Sequence, residues 1–261
     1  MAFLEVEGLC KDFGGVRALD RVTVELRAAE ILGLIGPNGS GKTTLFNVIS
    51  GFFAPTAGAV RWRGRDITGL RPDQIVALGV VRTFQSPRVF AQVSALVNVV
   101  MARHIRTRAG LLDAVLASPG QRRDEAATRQ RAEQIMAFCD LQAVRGVPAA
   151  RLPYGMARRL GVAIALACEP EVLLLDEPAA GLNGEEKRAL AELVQRLHAQ
   201  GLTIWLVDHN MRFLMGLVQR VVALDSGRKI AEGTPQEVSS NPEVIRVYLG
   251  ETGFARTRRA G

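Results

Sequence analysis

Two hydrophobic rhythms divide the chain. Short apolar runs at Phe3–Val6, Val22–Leu26, Ile31–Ile35 and Val60–Trp62, separated by turn residues, predict a β-rich start. Apolar positions at helical spacing follow in Leu45–Ser50 and, more briefly, in Asp73–Leu78. From about Pro87 to Ala150 the pattern is helical. Within that stretch Gln121–Cys139 is charged, rich in alanine, and apolar at Ile135, Met136 and Phe138. Strands and helices alternate again after Leu160. Val172–Leu175, Thr203–Val207 and Val221–Leu224 are continuous apolar runs of the kind central parallel strands require, and Glu185–Ala199 is amphipathic. The pattern predicts an α/β fold with a central, largely parallel sheet and a helical subdomain at about 87–165 inserted in a core that ends near residue 251. Residues 252–261, small side chains and arginines, are expected to be disordered.

One segment fixes the chemistry. Gly36-Pro37-Asn38-Gly39-Ser40-Gly41-Lys42-Thr43-Thr44 fits the phosphate-loop pattern in full, after a predicted buried strand and before a predicted helix. The glycines let backbone N–H groups turn inward around phosphate oxygens, and the helix adds its positive end. Lys42 supplies a mobile cation for a γ-phosphate, and the Thr43 hydroxyl is placed to ligate Mg²⁺. A plain Gly-rich turn with an exposed lysine would not need this strand-loop-helix context. The chain is expected to bind ATP or another nucleoside triphosphate.

Val172–Leu175 delivers Asp176 and Glu177 at the carboxyl end of a predicted parallel strand, where ligands gather in open α/β sheets. Asp176 is placed to hold Mg²⁺ beside Thr43, and Glu177 to activate a water near the γ-phosphate. Gln85 follows a short strand and precedes the helical segment, so its amide is a candidate contact to Mg²⁺ or to the attacking water. His209 ends the Thr203–Val207 strand on the same sheet edge. Two readings stand for it, a donor to the γ-phosphate or an ordinary core or surface histidine; His104 and His198 take the ordinary reading.

Bulk properties narrow the setting. The 261 residues are 48% hydrophobic with a net charge of +7, enough chain for a substantial core. No apolar run approaches the length needed to span a bilayer, and Met1–Glu5 does not begin a secretory signal. Cys10, Cys139 and Cys168 have no metal-ligand spacing and read as reduced thiols of a cytosolic protein. The arginines are dispersed, without interleaved aromatics, which favours a general affinity for anionic lipid headgroups over a nucleic-acid site.

The phosphate loop, Gln85, Leu152-Pro153-Tyr154-Gly155, Asp176-Glu177, Ala180-Gly181-Leu182-Asn183 and His209 occur in the order of an ABC-type ATPase, and the chain resembles that family from residue 3 to about 250. It is most similar to the ATP-binding subunits of branched-chain amino acid importers, through Gly79–Gln85, Asp176–Asn183 and Asn241–Gly250. The resemblance implies that Phe13 stacks on adenine, although composition alone equally allows a core role. It also implies that Leu152, Pro153, Tyr154, Gly155 and Met156 form the signature that reaches a partner subunit's γ-phosphate. Gly181, Leu182 and Asn183 would form the loop crossing the same dimer interface. The implied partners are transmembrane permease subunits, a second ABC ATPase (a different one, or a second copy) and, indirectly, a solute-binding protein. No nucleic acid is expected. The implied location is peripheral, on the cytoplasmic face of the membrane.

The chain departs from the family pattern at Pro153 and Tyr154, where Ser and Gly are usual, and at Ala157, Gly161 and Ile164, where Gln, Glu and Arg are usual. These positions concern the partner's site rather than the chain's own. A soluble ABC-type ATPase acting on nucleic acid or ribosomes is the alternative. The chain has neither the sustained heptads nor the second phosphate loop usual in such proteins. A third reading, a regulatory module that binds ATP without hydrolysing it, sits poorly with an intact Glu177.

Overall fold

The computed structural model describes residues 2–84, 89–103 and 119–248. Two sheets form the frame. Strands β1 (Ala2–Phe13), β2 (Val16–Arg27), β4 (Ala57–Trp62) and β5 (Arg65–Asp66) make an antiparallel sheet in the order β2-β1-β4-β5. The second sheet runs β10-β9-β3-β8-β7-β6, from β3 (Ile31–Ile35), β6 (Val80–Arg82), β7 (Val172–Asp176), β8 (Thr203–Val207), β9 (Arg220–Asp225) and β10 (Arg228–Gly233). All neighbours in it are parallel except β10, which pairs antiparallel with β9.

The alternation of side chains divides the core into two layers. Ile31, Ile35, Leu173, Leu175, Ile204 and Leu206 face the helices α3 (Ala95–Arg103), α4 (Pro119–Phe138), α5 (Tyr154–Ala167) and α6 (Gly184–Ala199). Leu32, Leu34, Leu174, Trp205 and Val207 face the antiparallel sheet, with α1 (Lys42–Ile49) between and Ile75 of the short α2 (Pro72–Ala77) in the same layer. Phe46 of α1 packs edge-on against Trp205, ring centroids 5.7 Å apart. Each fully buried side chain of this size contributes roughly 1.5–3 kcal/mol. That layer therefore anchors the helix carrying the phosphate loop.

The central strands occur where the apolar runs predicted them, because full burial on both faces leaves no polar position to blur the pattern. The predicted Phe3–Val6 strand is the start of a longer one. Gly8, at φ +54°, shifts the register between Val6 and Leu9 and breaks the alternation. The sequence pattern missed β10, whose exposed positions hide a period-two signal. Between the paired strands β6 and β7 the chain runs through α3, α4 and α5. The predicted disordered tail at 252–261 lies outside the described residues.

Candidate nucleotide site

The β3 strand ends at Ile35, and the chain turns through Gly36–Gly41 into α1. Two of these glycines are required by geometry. Gly36 has φ +155°, and a Cβ there would collide with the Leu224 carbonyl and the Ser40 side chain. Gly41 caps α1 at φ +102°, where a Cβ would lie 2.7 Å from the Ala18 carbonyl. The turn after β9 braces the loop: Gly227 N–H donates to Ser40 O at 3.1 Å, and Asp20 N–H to Gly227 O at 2.9 Å.

Lys42 is buried, and its Nζ donates to the carbonyls of Gly36 and Pro37, both at 2.8 Å. Burial holds the amine below the ordinary lysine range, an effect that the charges of Glu177 and Asp176 oppose. A cleft of about 160 Å³ is lined by Asn38, Gly39, Gly41, Lys42, Thr43 and Thr44, together with Ala18, Glu177 and His209. A larger groove of about 740 Å³ near Phe3, Arg63, Phe138 and Leu202 contains none of these residues. Size alone gives no reason to place chemistry in it.

Parallel pairing of β7 with β8 sets Asp176 opposite Val207, so the residues that follow, Glu177 and His209, emerge on one edge. Glu177 has φ +47°, a sparsely populated conformation for a non-glycine residue, and its N–H donates to Val207 O at 2.8 Å. Its Oε1 lies 2.5 Å from His209 Nε2. His209 is therefore no core histidine: it is half exposed and set against the predicted base. His198 bonds the Ala29 carbonyl at 2.9 Å, away from the cleft, while His104 and Gln85 lie outside the described residues.

Phe13 ends β1 beside the Gly14-Gly15 turn and is 41% exposed, which removes the core alternative. It packs edge-on to Phe53, with Lys11 Nζ 4.8 Å from its centroid. The segments 152–156 and 181–183 contribute nothing to the chain's own cleft and meet each other instead. Tyr154 O–H donates to Ala180 O at 3.1 Å, and its ring fills the space a Cβ on Gly181 would need. Pro153 is the N-cap of α5 without a side-chain bond, and Gly155 packs against Glu186. Glu186 and Asn183 close a capping box at the start of α6.

Two buried charged residues that support the site from behind escaped sequence reasoning. Arg82 ends β6 and donates to Asp176 Oδ2 at 2.6 Å. Asp208 accepts from Ala179 N–H at 2.9 Å and Asn210 N–H at 2.7 Å, and burial raises its carboxyl above the usual range. A charged residue directly ending or following a buried apolar run was the available signal for both. For Mg²⁺ the donor set fits. The Thr43 hydroxyl and the Asp176 carboxylate would offer hard oxygens, and Mg²⁺ is commonly held by one or two carboxylates plus substrate phosphates. The three cysteines are buried, and burial pushes the Cys139 thiol up to about 12.

Comparison with known proteins agrees with this geometry. The family model for the ABC transporter matches residues 19–180, and that for the branched-chain amino acid ATP-binding cassette transporter matches residues 228–253. Over 249 residues the chain is 43% identical to the high-affinity branched-chain amino acid transport ATP-binding protein LivG of Salmonella typhimurium, covering 95% of this chain and 98% of the relative. It is 38% identical, over the same shares, to BraF of Pseudomonas aeruginosa, which carries the same description. Among solved structures, a nucleotide-free ATP-binding cassette from an ABC transporter is similar with a TM-score of 0.84 at 29% identity, covering 96% of this chain and all of that one. An ATP-binding cassette in its ADP conformation is similar with a TM-score of 0.82 at 28% identity. This chain belongs to the ATP-binding cassette family of ABC transporter ATPases.

Proposed function

We propose that the chain is the ATP-hydrolysing, energy-coupling subunit of an importer for branched-chain or related amino acids. The observation that carries the reading is the convergence of the phosphate loop, Glu177 and His209 on one cleft. The identity to LivG and BraF across nearly the whole chain supports the class of cargo. We read residues 1–251 as one ATPase domain, with the helical part at about 87–165 as its inserted subdomain.

In this reading Phe13 stacks on the adenine ring, and the N–H groups of residues 36–44 hold the phosphates. Lys42 releases its loop carbonyls to meet the γ-phosphate. Thr43 and Asp176, with Gln85, hold Mg²⁺, which when bound neutralises phosphate charge. Glu177 accepts the proton of the attacking water, and His209 fixes the orientation of Glu177. Leu152–Met156 and Gly181–Asn183, which do not line the chain's own cleft, serve the site of a second ATPase subunit. ATP then joins two subunits, and hydrolysis releases them.

No described helix is long and apolar enough to cross a membrane. Because the chain is similar to transport ATP-binding proteins, the reading has it held by permease subunits, peripherally on the cytoplasmic face, with a solute-binding protein delivering cargo from outside. The relatives named above are amino acid transport ATP-binding proteins, which favours this reading over the nucleic-acid alternative. Deleting the gene in its own cells and measuring uptake of radiolabelled leucine, isoleucine and valine tests the proposal. Loss of high-affinity uptake, restored by the intact gene but not by a Glu177→Gln form, is expected. Unchanged uptake of all three would overturn the amino-acid reading.

A further inference from the structure

Arg82 carries an unusual burden for an arginine on a short edge strand. Its side chain is 4% exposed, and its fork joins two elements: NH2 donates to Asp176 Oδ2 at 2.6 Å, while NH1 donates to Asn47 Oδ1 at 2.7 Å and to Ser50 Oγ at 3.2 Å. Asn47 and Ser50 belong to the end of the phosphate-loop helix α1; Asp176 ends β7. Phe46 and Phe84 hold the guanidinium in place, with centroids 5.7 and 5.1 Å from Cζ. Stability alone gives little reason for such a pair, since buried ion pairs are often matched or exceeded by well-packed apolar residues. Geometry gives a better one. The rigid fork binds both partners at fixed angles, which a lysine cannot do.

We propose that Arg82 is a positioning residue for the metal-binding carboxylate. By engaging Oδ2 it leaves Oδ1 as the oxygen for the metal, and by gripping α1 it sets the distance between Asp176 and Thr43. The inference rests on the reading of Thr43 and Asp176 as metal ligands.

The test is a titration of the purified chain with a fluorescent ATP analogue, once in EDTA and once in Mn²⁺, so that turnover is not involved. In the native chain Mn²⁺ tightens binding. Arg82→Lys keeps the charge but loses the fork, and should cut that tightening by about tenfold, the usual scale for an outer-shell partner. Its metal-free affinity should stay within about twofold of native. Asn47→Ala, which removes the shorter of the two α1 contacts and leaves Ser50, should cut the tightening by about threefold. The double variant should be no worse than Arg82→Lys, because both act through one bridge. An unchanged Mn²⁺ effect in both single variants would overturn the proposal. So would an equal loss with and without metal, which would make Arg82 a support of the loop only. Absence of any Mn²⁺ effect in the native chain would sink the metal reading itself, and this inference with it.

Discussion

Glu177 Oε1 and His209 Nε2 stand 2.5 Å apart at the ends of adjacent parallel strands. Neither residue is positioned by a long flexible loop. The β7–β8 ladder and the bond from Glu177 N–H to the Val207 carbonyl fix their separation before any ligand enters. Replacing His209 with alanine should therefore lower ATP hydrolysis by about a hundredfold while ATP affinity changes little. Steady-state hydrolysis set beside equilibrium nucleotide binding checks this. A loss of affinity equal to the loss of rate would make His209 a binding group and nothing more.

Lys42 bears on ATP in a pH-dependent way. Burial lowers its pKa from the ordinary 10.5, so the amine loses its charge at a lower pH than an exposed lysine would. ATP affinity should fall on the alkaline side before the ordinary lysine range is reached. Lys42→Ala should bind ATP roughly a hundredfold more weakly and lack that alkaline fall. Nucleotide titrations at a series of pH values decide it; an affinity in Lys42→Ala equal to the native one would refute the loop assignment.

Much of this was legible in the sequence, and the reason is physical. A phosphate loop needs glycine where a Cβ would strike the Leu224 or Ala18 carbonyl, and the loop stands between a fully apolar strand and a helix, so its pattern is local. Glu177 and His209 follow equally apolar strands. For Arg82 and Asp208 the sequence signalled only a charge at the end of an apolar run, because their partners lie far away in sequence, on α1 and on the segment after β7. The strand β10 was missed because an exposed edge strand carries no clear alternation.

Tyr154 ties the segment 152–156 to the turn leading into 181–183 through its hydroxyl, which donates to Ala180 O and accepts from Arg158. Tyr154→Phe removes that oxygen alone and should weaken the junction by about 1 kcal/mol. The variant should bind ATP normally in its own cleft but complete a partner's site poorly, so that hydrolysis falls about fivefold at saturating ATP in the assembled complex. Full native turnover would show that the junction does not govern the interface.

Asp208 gives a second pH signature. Its carboxyl is raised above the ordinary 3.8 by burial, so the native state keeps a proton that the unfolded chain releases. The charged form is the costly one in the fold. The stability of the native chain should therefore decline relative to Asp208→Asn as pH rises above 3.8. Urea midpoints of both proteins measured from about pH 4 to 7 test the sign. A difference that stays constant across the range would contradict it.

The central claim, ATP hydrolysis coupled to membrane transport, is tested most directly by measuring phosphate release by the purified chain. The measurement is made first alone and then in the complex with the membrane partners recovered from its own cells. Slow release by the chain alone, stimulation by permeases and amino-acid-loaded binding protein, and loss of both rates in Glu177→Gln are expected. Hydrolysis indifferent to the membrane partners, or stimulated by nucleic acid instead, would contradict it.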